Sequence, residues 1–282
     1  MWRGYGEGVQ QLDPIATYLA ISDRERAADG LVEQRAAAAA RLAGARPGAA
    51  VLDLGAGQGW YSLALARRFT VVGVDRSTGL VAEARRRARR LAGRRRPHLL
   101  VGHNEALPVP DNSVDAAISL ATCIGYGSED DDRAAFEELR RVLQVDAKVV
   151  LEAVSAERAA RSEERERWFP DGAHALYSPN FDSSTQVLSD TQSVELPDGS
   201  SGVFRYSVRA YDPSELLNLI EDAGLVCDGM YGSTSGARPT PGDPIVVVAR
   251  SRSVNGRGVR AGRPRSSSLP DDQPLCLTEV PR

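Results

Sequence analysis

The chain has 282 residues, of which 42% are hydrophobic and 26% charged, enough for one large domain with a substantial core. A formal net charge of -3 argues against a surface built throughout for nucleic acid. No apolar stretch nears the roughly 20 residues that cross a bilayer, and the N-terminus lacks the basic-then-apolar order of a secretory leader, so the chain reads as cytoplasmic.

Residues 23–45 read as one helix of strong helix formers, with Asp23 as its N-cap. A short apolar strand follows at 50–54, then "GAGQG", a helix from Trp60, a second strand "TVVGVD" at 70–75 and a second helix capped by Ser77. "HLLVGH", "VDAAISL" and "AKVVLEAV" supply three more strands, with a helix "DRAAFEELRRVLQ" before the last of them. Short apolar strands alternating with helices of about a dozen residues predict right-handed βαβ units and a parallel, doubly wound α/β sheet. That rhythm stops between about 155 and 211, where "TQVLSDTQSVEL" and "GVFRYSVRAY" alternate around "PDGSS" as a β-hairpin. It returns as a helix from Asp212 and strands "LVCDGMYG" and "PIVVVARS". Residues 251–282, rich in Arg, Ser, Gly and Pro, read as a disordered tail.

The sequence "VLDLGAGQGW" (51–60) carries the chemistry. Gly55, Gly57 and Gly59 at a strand-to-helix turn let a ligand approach the backbone. A dinucleotide site would place its third glycine where Trp60 stands, and a phosphate loop would continue with Gly-Lys-Ser/Thr. Asp53, two residues before the first glycine, would oppose a buried diphosphate, so a cationic or zwitterionic ligand fits better. Asp75, at the end of the second strand, can accept both hydroxyls of a ribose. The three cysteines, Cys123, Cys227 and Cys276, give no disulfide framework, and no His/Asp/Glu cluster has metal-ligand spacing.

"VLDLGAGQG", "VVGVD", "EALPVPDNSVDAAIS" and "FEELRRVLQVDAKVVLEA", in this order and spacing, resemble the class I S-adenosylmethionine-dependent methyltransferases over residues 49–153. The resemblance implies a seven-stranded, mainly parallel sheet with S-adenosyl-L-methionine as cofactor. It implies that Gly55, Ala56, Gly57 and Gly59 lie against the methionine part, with Asp53 near its ammonium. Asp75 would take the ribose, Arg76 would sit beside the adenine, and His103, Asn104, Glu105 and Ser119 would complete the set. Here Gly102-His103-Asn104 replaces the usual Gly-Asp-Ala, and His103 reads equally as an exposed loop residue.

Methyl transfer needs positioning, desolvation and in some cases a base. Where the carboxyl ends of the sheet meet the insertion, Tyr126 and His174 are the catalytic candidates, with Tyr177, Arg209 and Tyr211 as substrate contacts. His174 reads also as a satisfied structural histidine. The expected organisation is an N-terminal cap and helix (1–45, with Trp2, Tyr5 and Tyr18), a cofactor core (46–154), a substrate lid (155–211), the rest of the core (212–250) and the tail. The expected activity is transfer to nitrogen or oxygen of a small molecule. The arginine run at 84–97 keeps an RNA or protein substrate as an alternative, and a non-catalytic regulator as a third. Oligomeric state is not legible.

Overall fold

The computed structural model describes residues 11–91 and 95–252. The first helix, α1 (Pro14–Asp29), is followed by α2 (Val32–Leu42), β1 (Ala50–Leu54), α3 (Trp60–Leu65), β2 (Thr70–Asp75), α4 (Thr78–Arg89), β3 (His98–Val101) and β4 (Val114–Ser119). Then come α5 (Glu129–Val142), β5 (Leu143–Ala153), α6 (Ala156–Ala160), β6 (Arg165–Trp168), β7 (His174–Asp182), β8 (Val187–Glu195) and β9 (Ser201–Arg209). The chain closes with α7 (Pro213–Asp222), β10 (Leu225–Tyr231) and β11 (Ile245–Ser251).

Seven strands form one sheet in the order β10-β11-β5-β4-β1-β2-β3, parallel except for β11, which runs antiparallel to both neighbours. Burial on both faces explains why these strands read as unbroken apolar runs. Ala39, Tyr61 and Leu65 of α2 and α3 cover one face, while Phe136, Leu139, Leu216 and Leu219 of α5 and α7 cover the other. Strand order reverses between β1 and β4, which opens a crevice at their carboxyl ends.

The expected helix over 23–45 is two helices. Asp13 caps α1, its Oδ1 accepting from Ala16 N at 2.8 Å with Pro14 in the first turn. Gly30 ends α1 at φ 61°, its N–H bonded to the carbonyl of Arg26. Asp23, expected as the cap, lies inside α1 and pairs with Arg87 at 2.6 Å.

The hairpin over 187–209 is present, but β6 and β7 extend it to a four-stranded antiparallel sheet. Pro179 and Asn180 disguised β7; Pro179 sits where β6 no longer runs alongside, on an open edge that tolerates a missing N–H. Helix α1 docks on β9 of this second sheet. At Gly202 a Cβ would collide with Thr17 of α1, so the close approach requires glycine there. The two stems of the insertion meet at its base, where Tyr211 N donates to Val154 O at 2.8 Å and Ala156 N to Tyr211 O at 2.9 Å. Trp2, Tyr5 and the expected tail from 253 onward lie outside the described residues.

Candidate active site

The turn after β1 is built from left-handed backbone: φ is 71° at Gly55, 53° at Gly57 and 86° at Gly59. Gly55 is required twice over, since a Cβ there would also collide with that of Cys123. Gly57 has open space on its Cβ side, and its N–H donates to Asp75 Oδ2 at 2.8 Å. Ser77 N donates to Asp75 Oδ1 at 2.8 Å, so two amides fix this carboxylate at the rim of the turn. Burial pushes the Asp75 pKa up, and the two amides draw it back. Gly59 instead caps α3 and packs against Ala84 of α4.

A cavity of about 570 Å³ lies above this turn. Gly55, Ala56, Gly57, Asp75 and Arg76 line its floor, and His103, Asn104 and Glu105 one side. Tyr126 lines it as well, and burial pushes its phenol pKa well up. The loop 120–127 forms another wall under backbone strain, with Ala121 at φ 60° and Thr122 at φ 62°. Surrounding bonds hold that conformation. Asn104 Nδ2 donates to Cys123 O at 2.7 Å, Gly125 N to Asp132 Oδ1 at 2.8 Å, and Arg209 N to Gly125 O at 2.8 Å.

Sequence reading expected a cap containing Tyr18 and a lid over 155–211, but it missed most of the residues that form the roof. Glu25 and Arg26 of α1 line the cavity, as do Gln192 of β8 and Phe204, Tyr206 and Val208 of β9. Tyr18, Phe204, Tyr206 and Tyr126 form a chain of rings with centroid separations of 5.1, 5.8 and 6.4 Å. The strict alternation of 204, 206 and 208 was the available signal, since these positions share one strand face. Behind the roof a second chamber of about 440 Å³ shares Thr122, Val154 and Tyr206 with the first.

Several expected site residues lie elsewhere. Asp53 is buried beneath the turn, where Ser62 Oγ donates to it at 2.6 Å and burial pushes its pKa up to about 7. Ser119 is also buried, hydrogen-bonded to Cys123 Sγ. His174 stacks on Trp168, centroids 4.4 Å apart, and lines neither chamber, because β7 turns it away from both. Tyr211 is buried with its phenol bonded to Asp132, while Arg209 pairs with Glu215 and Glu129. Tyr177 donates to Glu25 Oε1 at 2.8 Å and lines the second chamber. In the arginine run, Arg86 and Arg87 pair with Glu83, and Arg85 donates to Leu99 O. Among the described residues no metal-binding cluster forms, and no helix is long and apolar enough to cross a membrane.

The floor fits S-adenosylmethionine: an open glycine turn, a fixed carboxylate at its rim, and the buried indole N–H of Trp60, which has no hydrogen-bond partner. Residues 51–146 match the family "Methyltransferase domain". The chain is similar to the demethylmenaquinone methyltransferase of Beutenbergia cavernae, 30% identical over 222 residues that cover 78% of this chain and 80% of that protein. It is also similar to the 2-phytyl-1,4-naphtoquinone methyltransferase of Trichormus variabilis, 38% identical over 121 residues. That match covers 40% of this chain and about half of the relative. In fold it resembles the CcbJ methyltransferase from Streptomyces caelestis, with a TM-score of 0.69 at 22% identity over 79% of this chain and 90% of that one. The sugar N-methyltransferase KedS8 from Streptoalloteichus has a TM-score of 0.66 at 16% identity over 90% and 98% of the two chains. The chain belongs to the class I S-adenosylmethionine-dependent methyltransferases. It is a methyltransferase with S-adenosylmethionine as its cofactor.

Proposed function

We propose that the enzyme methylates a nitrogen or oxygen of a small molecule held between the glycine turn and the second sheet. The observation that carries this reading is the roof. Helix α1 and strands β8 and β9 cover the turn and leave a chamber of about 570 Å³, within the range of small-ligand sites rather than polymer grooves. The quinone substrates in the names of the two curated relatives support the same scale of acceptor.

In this reading Gly55, Ala56 and Gly57 lie against the methionine part of the cofactor, and Asp75 accepts the ribose hydroxyls. Arg76 and the His103–Glu105 stretch border the adenine. When bound, the cofactor supplies a methyl group on a cationic sulfur. The protein's share is to align the acceptor and exclude water around the reacting atoms. Burial keeps Tyr126 a neutral phenol, so it serves as a hydrogen-bonding wall rather than as a base. His174, Arg209 and Tyr211 act through the structure of the lid.

Incubation with methyl-tritiated S-adenosylmethionine tests the reading, using three separated substrates from the source cells: small metabolites, total RNA and total protein. Label entering the metabolite fraction is the expected result. Label confined to RNA or protein would overturn it.

A further inference from the structure

The carboxyl group of Asp190, on β8 in the wall of the second chamber, has one oxygen bonded and one left over. Its Oδ2 accepts from Gln192 Nε2 at 2.7 Å and from the Tyr206 hydroxyl at 3.3 Å. Its Oδ1 is buried and has no hydrogen-bond partner, and the residue is 7% exposed. Asp190 lines the second chamber, and Tyr206, its bonded neighbour across the ladder, lines both. A buried acceptor atom left without a donor is costly, and a buried carboxylate without a counter-charge is more so. Among the described residues no cationic side chain bonds to it.

We infer that Asp190 receives an amino group of the substrate, so that the substrate is an amine anchored in the second chamber. A hydroxyl would fill the empty hydrogen-bond position but leave the charge unbalanced; an ammonium does both. The rings of Tyr206 and Tyr177 border the same space and favour a cation further. The other charged groups lining that chamber are Arg165 of β6, Arg158 of α6, Arg161 and Glu163 just after it, and Glu152 of β5. Arg165 is exposed and lies over the Tyr177 ring, Arg158 and Glu163 are exposed, Arg161 is exposed and paired with Glu157, and Glu152 is paired with Arg35. The three exposed arginines are therefore screened by water, while Asp190 is not.

This inference rests on the small-molecule reading, and its test separates the two. Benzylamine and benzyl alcohol, both small enough for the chamber, are titrated by protein-observed NMR into the full chain saturated with S-adenosylhomocysteine. The same titrations are run on Asp190→Asn, which keeps the shape and removes the charge. Expected is that benzylamine binds the parent roughly tenfold or more tighter than benzyl alcohol, and that the variant loses that ratio. Equal binding of the two probes, no binding of benzylamine, or an unchanged ratio in the variant would overturn the amine assignment. The parent's ratio alone decides the matter if the variant folds poorly. Failure to bind S-adenosylhomocysteine at all would instead strike the reading beneath it.

Discussion

Replacing Asp53 with Asn should change how stability depends on pH, with a sign set by burial. Asp53 is 1% exposed, and desolvation, the largest influence on it, moves its pKa from 3.8 to about 7 against the pull of the Ser62 hydroxyl. The folded state therefore holds a proton that the unfolded chain has released between those two values. Stability from this group is fully present below the unfolded pKa and is lost as pH rises through the folded one. At 1.36 kcal/mol per unit, the shift amounts to roughly 4 kcal/mol as an upper bound. Nearby Asp75 shares in the effect, so a loss of about 2–4 kcal/mol is the working expectation. An Asn side chain keeps an oxygen for the Ser62 bond and cannot titrate. Urea unfolding followed by circular dichroism, at intervals between about pH 5 and about pH 8, compares the two proteins. Asp75, Asp132 and every other titrating group contribute to both curves, so their difference isolates Asp53. Parent stability should fall relative to the variant as pH rises toward neutrality. Parallel curves would refute the assignment of a buried, proton-holding carboxyl beneath the turn.

Two further substitutions test the walls of the site. Gly55→Ala meets both a left-handed φ and the Cys123 side chain, so it should cost about 2 kcal/mol or more in urea unfolding and weaken S-adenosylhomocysteine binding together. Wild-type stability in that variant would contradict the crowding at the turn. Tyr211→Phe removes the hydroxyl that donates to buried Asp132 and should destabilise the protein by about 1–3 kcal/mol while S-adenosylhomocysteine affinity stays within twofold. A large loss of affinity with unchanged stability would return Tyr211 to the binding site.

The floor of the site was legible because its determinants are local. Glycines at fixed spacing and an acid ending the next strand follow from the backbone that a strand-to-helix turn requires, so Gly55, Gly57 and Asp75 could be placed without knowing what surrounds them. The roof depends on docking between distant segments. Glu25 and Arg26 reach the cavity because α1 packs on β9, some 180 residues further along. In β9 the strand was legible, but the face was misjudged: Arg209, and Tyr211 just beyond the strand, were favoured, whereas the cavity takes 204, 206 and 208. A parity error of one residue sends every side chain to the opposite face. Asp190 gave no signal of its own, since its role follows from a register that sets it opposite Tyr206. The start of the first helix was readable in Asp13-Pro14, a cap followed by a first-turn proline, but the longer run of alanines after Asp23 drew the boundary there.

The central claim, that the cofactor lies on the glycine turn with its ribose on Asp75, is tested most directly by calorimetric titration of S-adenosylhomocysteine into the parent and into Asp75→Ala. The account predicts saturable binding to the parent and a loss of roughly ten- to hundredfold in the variant, the worth of charge-assisted hydrogen bonds to two hydroxyls. Equal affinity in the two folded proteins would contradict it.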